Sequence, residues 1–457
     1  MRALIFQVQS MRQRIQFGRP QPRRSKTPQQ PLSLSIDKLS HEGRGIARHE
    51  GKTVFVEGAL PGEQVTAKIS QQHRRYDEAE CLSIEQPSDQ RATPGCPHFG
   101  SCGGCQLQHL SHDEQIHQKQ QWVLEQLERL GGLQPEQVEP PLTSDSWHYR
   151  RAARIGINQR QDGSSIVGFR RRNSNRITAL EQCPVLDQRG EPLFRLLSEL
   201  LDQHGGSKQI THAELSYGDQ VGALTLRVKK CPGDALLGAL KQLASEQQLN
   251  LYLDHGERIE IVQQAGELTF SLPEFNQTLE FAPGDFIQVN DALNRQMIVR
   301  ALDWLAPTPE ERVLDLFCGL GNFTLPLASR AASVIGIEGS ERMVERARAN
   351  AARNGLDNCR FEAADLSQPI RKSDWFKAGF DKVLLDPPRT GALELVRQLI
   401  HGPADQLLYV SCNPAALARD GGELHKAGFR LTRFCVMDMF PQTTHVESLA
   451  LFVRQPR

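Results

Sequence analysis

Short apolar runs broken by turn residues fill the first part of the chain, and the pattern changes character twice before the C-terminus. Between residues 31 and 86, LSLSIDKL, TVFVEGAL, PGEQVTAKI and EAECLSI alternate apolar and polar positions, with the glycines of HEGRGIARHEGK between them. Strands this short at this spacing predict a small, OB-like β-barrel. Residues 87–145 hold a group of cysteines and then a helical run, His112–Leu130, with apolar residues at Ile116, Trp122, Val123, Leu127 and Leu130. Residues 146–275 mix strand-like and helix-like stretches without a sharp motif, which predicts a central α+β domain.

From about Pro307 the alternation becomes regular. RVLDLF, SVIGIE, RFEAAD, DKVLLDPP and LLYVS read as strands, and NFTLPLASRA, ERMVERARANAARNG, the stretch after Ala392 and Ala415–Ala427 as helices. TRFCVMDMF and SLALFVR form a final strand pair. Short apolar strands alternating with helices predict an α/β domain over residues 276–457, a doubly wound, mostly parallel sheet covered on both faces.

Composition sharpens this picture little. The 457 residues are 39% hydrophobic and 24% charged, the profile of a globular protein of two or three units. No stretch approaches the roughly 20 apolar residues of a membrane span. Fifty-four basic residues balance 54 acidic ones. The basic residues are clustered, however, in an acid-free segment at residues 1–30, at His73-Arg74-Arg75, at Arg150, Arg151 and Arg154, and at Arg170, Arg171, Arg172 and Arg176. Such patches neutralise phosphates locally in a molecule of zero net charge. The first segment reads as a flexible tail, with Met11 an alternative start. Ten cysteines are too sparse for a secreted disulfide scaffold, so a reducing cytoplasm is expected.

Five strand ends carry the candidate chemistry. Asp315-Leu-Phe-Cys-Gly319-Leu-Gly321-Asn322 stands where a strand gives way to a helix, so glycines admit close backbone approach and free N–H groups face a ligand. Glu338 ends the next strand and Asp365 the one after. Thr324 occupies the place of a third glycine, unlike the dinucleotide fingerprint. These elements together resemble the class I S-adenosylmethionine methyltransferases. That resemblance assigns the methionine part of the cofactor to Phe317–Asn322, with Gly319 between, the ribose to Glu338 and the adenine to Asp365.

Two further strand ends, Asp386-Pro387-Pro388-Arg389 and Ser411-Cys412-Asn413-Pro414, put a carboxylate and a thiol on stiff turns at the same edge. A lone cysteine at a strand end is ordinarily a small buried hydrophobe, the reading given to Cys81, Cys318, Cys359 and Cys435. Cys412 differs in its position, in the proline two residues on and in the acid Glu447 of a late His445-Val446-Glu447 loop. Cys96, Cys102 and Cys105 form C-x5-C-x2-C on a glycine-rich loop, and Cys183-Pro184 offers a fourth thiol. Four thiolates without a nearby histidine suit zinc or a [4Fe-4S] cluster equally well.

Phe286-Ile287-Gln288-Val289-Asn290, DLFCGLGN, DPPR, SCNP and HVES closely resemble the bacterial RNA m5U methyltransferase family. GRGIARHEGKTVFVEGALPGEQV resembles a TRAM domain, with Arg74, Arg75 and Tyr76 as RNA-facing candidates. The resemblance implies that Cys412 is a nucleophile, Glu447 a base, Gln288 and Asp386 cofactor contacts, and Phe286 and Asp386 neighbours of the target base. It also implies a [4Fe-4S] cluster on the four cysteines and a specific uridine of 23S rRNA as substrate; separately, no obligate protein partner is evident in the sequence and a monomer is expected. The residues meet what such a reaction requires. Carbon 5 of uracil needs a thiolate on carbon 6 to become nucleophilic, and then a base to remove its proton. Radical methylthiotransferases also join TRAM to an iron–sulfur site, but with a three-residue first gap where this chain has five.

Overall fold

The structure, a computed structural model, describes residues 30–455. All but one residue of the basic segment expected at 1–30 therefore lies outside the described residues. The chain divides into two units: residues 1–38 with 45–87, and residues 39–44 with 88–457.

In the smaller unit, six strands form one sheet. Its main strands, Gly45–His49, Lys52–Glu57, Gln64–Gln72 and Tyr76–Gln86, coincide with the alternating runs read from the sequence. Alternation turns Val54, Val56, Val65, Ala67 and Ala79 into a common apolar interior. Ile36 donates its backbone N–H to Glu63, and Asp37 donates to Ile46, so one segment binds both edges of the sheet. Tyr76 stacks on His73 with ring centroids 4.3 Å apart, beside exposed Arg74 and Arg75.

In the larger unit, residues 152–263 build a seven-stranded, largely antiparallel sheet backed by the helices Leu193–His204 and Asp234–Glu246. Leucines recurring at helical spacing, Leu193, Leu197 and Leu201, bury against Ile155, Leu224 and Leu226. The boundary expected at 275/276 falls inside a hairpin, Thr269–Leu272 with Gln277–Glu280, whose Phe270 and Leu279 join the core of the C-terminal domain. Hydrophobic packing, which a linear pattern does not show, makes this segment continuous with the later fold.

The C-terminal sheet comprises β1 (Arg312–Leu316), β2 (Ser333–Glu338), β3 (Cys359–Ala363), β4 (Lys382–Leu385), β5 (Gln406–Ser411), β6 (Phe429–Met437) and β7 (Glu447–Arg454). Its order is β3-β2-β1-β4-β5-β7-β6, extended at the β6 edge by Gln137–Val138. The first five strands are parallel, and β7 runs antiparallel to both β5 and β6. Successive residues serve opposite faces: Val313, Leu384 and Leu408 pack on one side, and Leu314, Val383 and Leu407 on the other. Burial on both faces is why these strands read as continuous apolar runs.

Two helices differ from expectation. NFTLPLASRA is helical only over Thr324–Ala328, where the Ser329 hydroxyl donates to the Pro326 carbonyl and competes with the next turn. The 112–130 helix holds α geometry to Gln126 and widens into a π turn over Leu127–Gly131, leaving Leu130 58% exposed.

Candidate active site

The parallel strands all end at one edge, and antiparallel β7 begins there, so the predicted residues from DLFCGLGN, DPPR, SCNP and HVES reach a common rim. The β1 turn is unusual. Phe317 adopts φ +66°, a left-handed conformation costly for a side chain, followed by Gly319 at +56° and Gly321 at +98°. A Cβ on Gly319 would meet nothing nearer than Met343 Cε at 3.9 Å, so the loop stands open at its tip. Such a loop fits an extended ligand passing close to backbone.

Glu338 holds this loop: its Oε2 accepts from the Gly319 N–H at 3.2 Å and its Oε1 from the Ser340 N–H at 3.0 Å. Each oxygen retains a lone pair for a hydroxyl group. Asn322 exchanges two hydrogen bonds, 2.8 and 3.0 Å, with Asn294 of the helix Asp291–Leu305. Asp315 lies beneath, fully buried; its Oδ2 accepts from the Thr324 hydroxyl and its Oδ1 has no hydrogen-bond partner among the described residues. Burial pushes its carboxyl up to about 7. Asp365 is exposed beyond β3, and its carboxylate accepts from Ser367 and Gln368. Those hydrogen bonds, the Ser367 hydroxyl first, hold it below the usual aspartate range.

On the other half of the rim, β5 and β7 pair in register Ser411 to Ser448. Cys412 and Glu447 are the neighbours of that pair, and they interact electrostatically with each other and with Asp386. Asn413 caps the helix Pro414–Lys426 by accepting from the Ala415 N–H, and its Nδ2 donates to the Arg389 carbonyl at 2.8 Å. This ties the SCNP turn to the DPPR turn. Cys412 is half-buried, and desolvation followed by the Glu447 and Asp386 charges raises its thiol, with Arg389 opposing. Glu447 is only 6% exposed, and its Oε2 has no hydrogen-bond partner among the described residues. Burial pushes this carboxyl up to about 7. Asp386 is held well above the ordinary carboxylate range by desolvation and by Glu447.

Phe286 is 71% exposed, an aromatic face offered to solvent, whereas Gln288 two residues on is buried. Arg151 anchors this loop from below. Its Nε donates to the Gln288 carbonyl at 2.8 Å, its Nη1 pairs with Asp291 at 2.7 Å, and its guanidinium lies over the Phe270 ring. Arg151 is therefore a buried strut of the FIQVN loop, not part of the phosphate-facing cluster expected from the sequence. Arg154 in the same run is exposed, as are Arg170, Arg171 and Arg176. Asn294 belongs to no motif and Arg151 reads only as one of a basic cluster, whereas Arg389 had a signal in its place in DPPR.

Cys96, Cys102 and Cys105 share one irregular loop, and Cys183 comes from another. Cys102 pairs with Arg171 across an isolated bridge, the Gly103 N–H donates to the Arg170 carbonyl at 2.9 Å, and the Gly104 N–H points at Cys102 Sγ at 3.4 Å. Buried Gln108 accepts from the Cys96 N–H at 3.1 Å and hydrogen-bonds the Cys105 thiol. Desolvation, with smaller contributions from the other thiols, pushes Cys105 up to about 12 and Cys183 up to about 11. The donor set suits a thiolate-bound metal, because all four sulfurs lie within mutual electrostatic reach. Among the described residues, however, no three His, Cys, Asp or Glu side chains are drawn together tightly enough to hold an ion. No described helix is long and apolar enough to cross a membrane.

Comparison with known proteins identifies the family. The tRNA (Uracil-5-)-methyltransferase family matches residues 111–455, and the TRAM domain matches residues 28–82. The 23S rRNA (uracil(1939)-C(5))-methyltransferase RlmD of Alkalilimnicola ehrlichii is 46% identical over 439 residues, 95% of this chain and 99% of that protein. Its namesake from Pseudomonas fluorescens (strain Pf0-1) is 47% identical over 434 residues, 94% of each chain. The crystal structure of Pyrococcus abyssi tRNA (uracil-54, C5)-methyltransferase in complex with S-adenosyl-L-homocysteine shares the fold. Its TM-score is 0.71 at 23% identity, covering 92% of this chain and 100% of that one. The chain thus belongs to the tRNA (Uracil-5-)-methyltransferase family and carries a TRAM domain at its N-terminal end.

Proposed function

We propose that this enzyme methylates carbon 5 of a uridine in 23S rRNA, the uracil 1939 for which its relatives are named. The observation that carries the reading is the β5–β7 register, which brings a thiol and a desolvated carboxylate side by side at the rim where the glycine loop opens.

S-adenosylmethionine, when bound, supplies an electrophilic methyl group on a sulfonium. Phe317, Gly319 and Asn322 would hold its methionine part, Glu338 its ribose and Asp365 its adenine side, with Gln288 and Asp386 closing the site. Phe286 stacks on the target base, which must leave the RNA stack to enter. Cys412 Sγ then bonds to carbon 6, and the ring electrons move toward O4 to form an enolate. Carbon 5 of that enolate would then take the methyl group, whose bond to the sulfonium breaks and leaves its electron pair on sulfur, now a neutral thioether. Glu447 removes the carbon-5 proton, the double bond re-forms and the carbon–sulfur bond breaks. A base near pH 7 suits this last step at physiological pH. Arg389, whose charge lowers both Cys412 and Glu447, favours the ionised forms that the sequence of steps needs.

The reading extends to a [4Fe-4S] cluster on Cys96, Cys102, Cys105 and Cys183, supported by the C-x5-C-x2-C spacing and the electrostatic coupling among the four thiols, and to RNA contacts by Arg74, Arg75 and Tyr76. It is a reading of a cytoplasmic enzyme acting as a monomer. Mass spectrometry of rRNA from cells lacking the gene tests it. One methyluridine should vanish and return with the wild-type gene but not with Cys412→Ala; an unchanged rRNA would overturn it.

A further inference from the structure

The nine residues Asp438–Val446 carry the chain from β6 to Glu447, and they are fastened to an element remote in sequence. Asp438, fully buried, accepts from Lys119 Nζ at 2.5 Å and contacts His112 Nε2 at 3.0 Å. Lys119 also donates to the Phe440 carbonyl at 3.2 Å, and the Tyr149 hydroxyl to the Pro441 carbonyl at 3.0 Å. Gln442 is gripped most closely. Its N–H donates to Gln115 Oε1 at 2.9 Å, its Oε1 accepts from Gln115 Nε2 at 3.0 Å, and its carbonyl accepts from the N–H groups of Gln106 and Leu107 at 3.0 Å each. Gln115 Nε2 also reaches the Leu107 and Leu110 carbonyls, at 3.1 and 2.9 Å. Both glutamines are buried, at 1% and 4% exposure.

Gln442 makes these bonds at φ +68°, where glycine would relieve the backbone. Two facing amides at a strained backbone position specify a geometry more than they add cohesion. The Ser411–Ser448 pair fixes the chain just behind Glu447, and the Gln442 clasp fixes it five residues ahead. Cys412 depends on neither glutamine, because β5 and the Asn413 cap hold it.

We propose that Gln115 and Gln442 are positioning residues for Glu447, through which the segment that follows Cys105 sets the place of the base. The inference rests on the covalent reading above. Loosening the clasp leaves carbon–sulfur bond formation and methyl transfer intact and slows proton removal, so the methylated RNA stays bonded to Cys412.

Single-turnover assays on the full-length protein, with an unmodified 23S rRNA fragment and labelled methyl donor, test this. In Gln115→Ala and Gln442→Ala the denaturation-resistant protein–RNA adduct should form within twofold of the wild-type rate and decay at least tenfold more slowly. Gln442→Gly keeps the backbone bonds in a relaxed conformation and decides the matter where the other variants fail to fold; it too should accumulate methylated adduct. Wild-type decay in a folded Gln442→Gly variant, or adduct formation lost in step with turnover, overturns the clasp. A wild-type enzyme that forms no adduct overturns the covalent reading and this inference with it.

Discussion

Ser411 of β5 and Ser448 of β7 face each other across an antiparallel pair. The residue after the first is Cys412 and the residue before the second is Glu447, so a single register joins two residues separated by 34 positions of loop, helix and strand. A slip of one residue would turn each side chain to the opposite face of the sheet.

Glu447→Gln removes the base and keeps the shape. Turnover should fall by about 10²- to 10⁴-fold, the usual contribution of a placed general base, while denaturing gels show methylated RNA still attached to protein. Loss of adduct together with turnover would assign Glu447 to an earlier step.

The raised Glu447 carboxyl sets a pH dependence. Burial lifts it from 4.5 to about 7, so below that value the folded enzyme holds it protonated and unable to accept the carbon-5 proton. Product release should therefore rise with pH through about 7, and Arg389→Ala should move the rise to higher pH because Arg389 lowers the carboxyl. Stability has the opposite sign. The folded state binds the proton more tightly than the unfolded chain, so this contribution is complete below pH 4.5 and is lost as pH climbs through about 7. Glu447→Gln should flatten that decline in thermal melts recorded across the range.

Gly319 and Gly321 should respond differently to alanine. At Gly321, with φ +98°, an added Cβ collides with the Leu325 side chain, whereas at Gly319, with φ +56°, it enters open space. Backbone strain of about 1–3 kcal/mol at such a position corresponds to a roughly 5- to 150-fold weakening. Calorimetry with S-adenosylhomocysteine should show a loss in that range for Gly321→Ala and a smaller one for Gly319→Ala.

The rim of the site was legible because strand ends in an α/β sheet converge wherever the chain alternates, and acids or thiols there stand out against apolar runs. What supports the rim was not. Arg151 reads as one of a basic cluster, yet an ion pair with Asp291 and a ring beneath it bury it under the FIQVN loop. Gln115 and Gln442 lie 327 residues apart and belong to no motif. Asn294 meets Asn322 only because a helix crosses the glycine loop. Such contacts depend on tertiary packing, which periodicity does not encode. The hairpin across the boundary expected at 275/276 escaped for the same reason.

The cysteine quartet predicts iron and sulfide in protein purified without oxygen. Cys105→Ser should lose most of the iron and, since Gln106 and Leu107 grip Gln442, lower the melting temperature by several degrees. Zinc without iron would replace the cluster by a structural zinc site.

Covalent trapping on RNA carrying 5-fluorouridine at the target addresses the central claim most directly. Without a carbon-5 proton to remove, the enzyme stalls after methyl transfer. Wild-type protein should form a methyl-labelled adduct stable to denaturation and mapping to Cys412, and Cys412→Ala should form none. An adduct in Cys412→Ala, or methyl transfer by that variant to unmodified RNA, would contradict the account.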